Sequence, residues 1–164
     1  EVRKLAIYDS LTGLPNRNSF IPFVSQKLLG AKSRGEHLAL CYIDLNNFKQ
    51  INDCFGHQAG DAVLIHAASA IKSHISEFEI AARMGGDEFV LLLDGAHHKH
   101  DIQRITQDIC KAIELPMPWK DMQIRVSASL GVAWYPEDGE LLDDLIFKAD
   151  TAMFQSKASH AAQG

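Results

Sequence analysis

The order in which two periodicities follow one another constrains this chain most. Residues 38–43 form a short apolar run that reads as a buried strand. Leu64, Ala68, Ile71 and Ile75 then recur at helical spacing along residues 61–75. Two strand-like runs, 80–83 and 88–93, flank Gly85-Gly86 and predict a hairpin. Ile102, Ile105, Ile109 and Ile113 stripe another helix, which Pro116 and Pro118 end. Residues 122–134 alternate strictly: Met122, Ile124, Val126, Ala128, Leu130 and Val132 interleave with Gln123, Arg125, Ser127, Ser129 and Gly131. That pattern predicts one long strand with a buried and a more polar face. A leading helix carries Ile21, Val24 and Leu28; a closing helix carries Leu142, Leu145, Ile146, Ala149 and Met153. The core order strand–helix–strand–strand–helix–strand is a split βαβ arrangement. The predicted class is α+β, a central antiparallel sheet with a βαββαβ core flanked by helices.

At 164 residues and 46% hydrophobic, the chain can bury one sizeable core, so 1–164 reads as a single domain. Its formal charge of −5 argues against coating nucleic acid by bulk charge, but leaves room for a small anion held by local cations or metals. Cys41, Cys54 and Cys110 are odd in number and form no C-x-x-C. They predict neither a disulfide framework nor a zinc site and fit a reducing cytoplasm, free or as the cytoplasmic part of a membrane-anchored protein. No apolar run approaches the ~18 residues of a membrane span. Residues 1–9 read as the end of a charged helical linker, which predicts a fragment of a larger multidomain protein.

Three features point to chemistry. Asp44 ends the first strand and leads into Leu45-Asn46-Asn47-Phe48-Lys49; facing open solvent there, it would suit a hard cation. Gly85-Gly86-Asp87-Glu88 puts two acids after a tight turn. If the first strand pairs with the hairpin, Asp44 and Asp87 come together, and two carboxylates plus substrate phosphates are a usual way to hold Mg²⁺. The third feature is a polar stretch, 52–61, interrupted by Gly56 and Gly60. Plainer readings stand beside these: a Gly-Gly-Asp turn, and Asp61 as a helix N-cap. His97, His98 and His100 read as a solvated turn before a helix.

Arg83-Met84-Gly85-Gly86-Asp87-Glu88-Phe89 resembles the signature of GGDEF domains, the diguanylate cyclases. Asp9-Ser10-Leu11-Thr12-Gly13-Leu14-Pro15-Asn16-Arg17 is similar to the family's entry motif. Residues 44–64, DLNNFKQINDCFGHQAGDAVL, resemble its nucleotide-binding segment. Ser129-Leu130-Gly131-Val132 and the stretch from Ala149-Asp150 to Lys157 resemble its C-terminal motifs. Several motifs in the right order are far more specific than a lone Gly-Gly.

The resemblance implies a nucleotide-cyclase, polymerase-palm-like fold in which two facing domains, a homodimer, condense two GTP into cyclic di-GMP and release pyrophosphate. It implies two Mg²⁺ or Mn²⁺ per half-site on Asp44, the Leu45 carbonyl and Asp87. Glu88 would assist metal binding or deprotonation of the 3′-hydroxyl. Asn52 and Asp61 match the guanine-reading pair: a carboxylate accepts both N1–H and N2–H of guanine, an edge adenine lacks. Phe48, Lys49 and Lys157 match phosphate-binding positions, beside Gly85 and Gly86 of the signature. His57 matches a structural histidine, and Arg83 is expected to pair with a nearby acid. Three departures matter. The inhibitory Arg-x-x-Asp is replaced by Ser76-Glu77-Phe78-Glu79, which predicts weak or absent product inhibition. Ala161 stands where the family usually has an arginine, and Asn46 where it often has a second Asp. The alternative is a catalytically weak GTP-binding module controlling an attached EAL-type phosphodiesterase or another partner, with flanking sensory or EAL domains expected either way.

Overall fold

The computed structural model describes residues 6–94 and 99–163. After α1 (Arg17–Arg34) come β1 (Leu38–Leu45), α2 (Phe48–Phe55), α3 (His57–Lys72), β2 (Ile80–Gly85) and β3 (Glu88–Asp94). Then follow α4 (Lys99–Glu114), β4 (Met117–Trp119), β5 (Met122–Ile124), β6 (Ala128–Tyr135) and α5 (Leu142–Gln163). Asn16 starts α1 by accepting the Ser19 N–H, and Gly35, left-handed at φ 66°, ends it.

The main sheet runs β2-β3-β1-β6, antiparallel at every pairing. β1 is central, and its period of two sends alternate side chains into two separate cores. Leu38, Leu40 and Tyr42 meet Phe20, Val24, Leu28 and Ala31 of α1 and Leu142, Leu145, Ala149 and Met153 of α5. Ala39, Cys41, Ile43 and Leu45 meet α3 and Ile102, Ile109 and Ile113 of α4. The predicted α+β order therefore holds, with helices on both faces. Each outer strand has one outward N–H closed: Arg83 of β2 donates to the Pro15 carbonyl at 3.1 Å, and Trp134 of β6 to the Asp138 carboxylate at 2.8 Å. Among the described residues no helix is long and apolar enough to cross a membrane.

Four expectations change. The strand predicted over 122–134 is two: β5 pairs with β4 in a ribbon of its own, and β6 alone joins the main sheet. The side of β6 predicted to be polar is buried under α5. A Cβ on Gly131 would lie 2.1 Å from the Ala149 carbonyl oxygen, so the small residues there mark a close approach. Residues 52–61 are helical, broken only at Gly56 (φ 94°). α3 starts at His57, so Asp61 lies in its second turn and is not the N-cap. Finally, residues 6–9 are not helical; Tyr8 makes a β-bridge to Pro15. Residues 1–5, His97 and His98 lie outside the described residues; His100 is exposed in the first turn of α4.

Candidate active site

Pairing of β1 with β3 sets Asp44 directly opposite Glu88. Asp44 and Tyr42 are two residues apart, so they share the sheet face that α1 and α5 cover. Asp87 sits in the turn between β2 and β3, with Gly85 (φ 153°) and Gly86 (φ 51°) supplying backbone shapes that side-chain-bearing residues rarely adopt. The Leu45 N–H donates to the Asp87 carbonyl at 3.3 Å, tying the end of β1 to that turn.

Asp44 does not face open solvent as predicted. Its side chain is 14% exposed, and Oδ2 accepts from Lys157 Nζ at 2.8 Å. The other oxygen, Oδ1, is buried without a hydrogen-bond partner. Burial pushes the Asp87 carboxyl up to about 6. Asp44 adds to this, since a protonated Asp87 bonds it and an ionised one repels it; the charge of Lys157 acts the other way. Glu88 accepts a hydrogen bond from the Tyr42 hydroxyl. Burial, then that bond and the Glu88 charge, push the Tyr42 phenol well up, so it remains a donor.

Among the described residues no three His, Cys, Asp or Glu converge on one point. What converges is a pair, Asp44 and Asp87, with the adjacent Leu45 backbone. A buried carboxylate oxygen without a donor, beside a second carboxylate, is a donor set that fits a hard divalent cation completed by water or phosphate oxygens.

The second part of the site lies between α2 and α3. A Cβ on Gly60 would fall 1.9 Å from Asn52 Oδ1 and 3.3 Å from the Phe48 ring. The bare backbone at Gly60 thus makes room for Asn52 and Phe48 against α3, one residue before Asp61. Lys49 is exposed in the first turn of α2. A cavity of about 440 Å³ lies elsewhere, lined by Asn46, Gln50, Ile51, Cys54, Arg125 and Ser127 among others, and includes neither acid of the pair.

Two supports, Tyr42 and Asn46, were not expected from the sequence. Tyr42 was findable, because period two places it on the side of Asp44. Asn46 donates to Ser127 Oγ and accepts from Ser129 Oγ, both at 2.9 Å, clipping the end of β1 to the start of β6. Nothing local announces that contact. Arg83 pairs with Asp9 at 3.1 Å and donates to the Gly86 carbonyl at 2.9 Å, so the expected ion pair also braces the turn. At the altered inhibitory position, Glu79 accepts from the Ser76 and Asp94 N–H groups, both at 2.9 Å.

The fold is that of an α+β domain, an antiparallel sheet flanked by helices, with the Asp44 and Asp87 carboxylates side by side at the end of its central strand. The chain belongs to the family described as "Diguanylate cyclase, GGDEF domain", which matches residues 6–163. It is 37% identical over 157 residues to the bifunctional diguanylate cyclase/cyclic di-GMP phosphodiesterase MucR of Pseudomonas aeruginosa, covering 96% of this chain and 23% of MucR. It is 39% identical over 153 residues to the diguanylate cyclase TpbB of the same organism, covering 93% of this chain and 35% of TpbB. A sensory box/GGDEF family protein from Caulobacter crescentus superposes with a TM-score of 0.88 at 35% identity, over 94% of this chain and 99% of that one. The chain thus spans about a quarter to a third of the length of these two curated relatives.

Proposed function

We propose that this chain is a diguanylate cyclase domain that condenses two GTP into cyclic di-GMP across two facing copies. The observation that carries the reading is the apposition of Asp44 and Asp87, with a buried oxygen of Asp44 lacking a donor. In each of two steps the 3′-oxygen of one GTP would bond the α-phosphorus of the other as the α–β phosphoanhydride breaks and pyrophosphate leaves. Asp44, Asp87 and the Leu45 carbonyl would hold Mg²⁺ or Mn²⁺, two per half-site, with Glu88 assisting there or taking the 3′-hydroxyl proton. Such cations would offset the charge that builds on the phosphate oxygens. Tyr42 holds Glu88 through its hydrogen bond. Asn52 and Asp61 would read guanine; Phe48, Lys49 and Lys157 would meet phosphates near Gly85 and Gly86.

A second reading rests on Ala161, in a place where the family usually has an arginine, and on the relatives' names. Similarity to MucR and to the cyclic di-GMP phosphodiesterase NbdA (38% identity) fits a GTP-binding module that regulates an attached phosphodiesterase. One assay separates the two. The chain is incubated with GTP and Mg²⁺ or Mn²⁺ at rising protein concentration, and cyclic di-GMP is measured. Product that increases more steeply than concentration, and that Asp87→Ala abolishes without loss of fold, supports the cyclase. GTP binding without product supports the regulatory module, and normal turnover by Asp87→Ala refutes the metal assignment.

A further inference from the structure

Lys157 Nζ lies 2.8 Å from Asp44 Oδ2, in a pair that is only partly open to water: the lysine side chain is 37% exposed and the aspartate 14%. The ammonium bonds one of the two Asp44 oxygens and leaves Oδ1 without a donor. Its charge also acts on Asp87, so one positive charge faces two carboxylates. A divalent cation on the same acids would meet a like charge already seated on Asp44. The two cannot both take full advantage of that carboxylate.

The helix that brings the lysine is fixed. Ala149 and Met153 are buried against the sheet, and backbone atoms of both lie over bare Gly131. Lys157 follows Met153 by one turn. The side chain itself has a flexible four-carbon stem and a compact charge, so it can swing while α5 stays in place.

We propose that Lys157 is the internal counter-ion of the acid pair. It competes with the divalent cation for Asp44, and the cation, once seated, frees its ammonium for an anionic group such as a nucleotide phosphate. The proposal rests on the metal reading of this site given above. It makes cation and nucleotide bind cooperatively through one side chain, and by linkage the coupling is reciprocal. A lysine that only met phosphate would have no influence on metal binding in the absence of nucleotide.

The test is calorimetric titration of Mn²⁺ into the nucleotide-free chain. Lys157→Met should bind Mn²⁺ about tenfold more tightly than the unmodified chain, the scale of one charge-assisted hydrogen bond. Lys157→Arg, which keeps a cation in place, should stay close to the unmodified chain. Lys148→Met removes an exposed lysine from the same helix, changes net charge equally, and should also leave the affinity unchanged. Unchanged or weaker binding by Lys157→Met overturns the proposal, as does equal tightening by Lys148→Met. No Mn²⁺ binding by the unmodified chain or any variant overturns the metal reading itself, and the counter-ion role falls with it.

Discussion

Gly60 shows how a missing side chain can place a present one. Asn52 occupies the volume that a Cβ there would fill. Gly60→Ala should displace the Asn52 carboxamide while costing the helix nothing, since alanine is favoured over glycine by about 1 kcal/mol in a helix. The melting temperature should hold or rise, whereas GTP affinity should fall about tenfold, on the order of one hydrogen bond, and ATP affinity should change little. A thermal melt and paired nucleotide titrations check this; an unchanged preference for GTP removes Asn52 from base recognition. Individual acids were legible in the sequence because Asp44 and Asp87 flank elements whose pairing follows from the hairpin. The burial of Asp44 was not, because its partner Lys157 is 113 residues away and belongs to an element with no local tie to β1.

At the scale of elements, α5 against β6 is the contact that brings the C-terminal lysine to the acid end of the sheet. It depends on Gly131, where a Cβ would lie 2.1 Å from one α5 backbone atom and 2.3 Å from another. Backbone cannot step aside as a side-chain tip can. Gly131→Ala should therefore destabilise by about 1–3 kcal/mol. For a chain of this size that lowers the melting temperature by several degrees, roughly 2–4 °C per kcal/mol. A melt within a degree of the unmodified chain would show that α5 sits less tightly than described. Helix stripes and the hairpin were readable because each has a period and an end signal. The split between β5 and β6 was not: alternation runs unbroken through 122–134 and carries no record of which strand is the partner. α2 has only Ile51 buried among its eight residues, so it offers no stripe to see.

For the molecule as a whole, one acid helps bind the segment before α1 to the sheet, beside the bond from the Arg83 N–H to the Pro15 carbonyl. Asp9 accepts from the Thr12 amide and hydroxyl and pairs with Arg83. Burial alone would raise its carboxyl, but the Thr12 bonds and the Arg83 guanidinium outweigh it and hold it below the usual carboxylate range. A lowered native value means that Asp9 contributes stability above its unfolded value near 3.8, lost as pH falls through the native one. The difference in denaturant stability between the unmodified chain and Asp9→Asn should accordingly be largest near neutrality and shrink below pH 4; a constant difference would detach the effect from this ionisation. The two closed N–H groups on the outer strands bear on how copies meet. A sheet with open rims invites a neighbour to add its own strand, register by register, into fibres. With the Arg83 and Trp134 N–H groups already engaged, main-chain zippering is blunted at those two points of the rims.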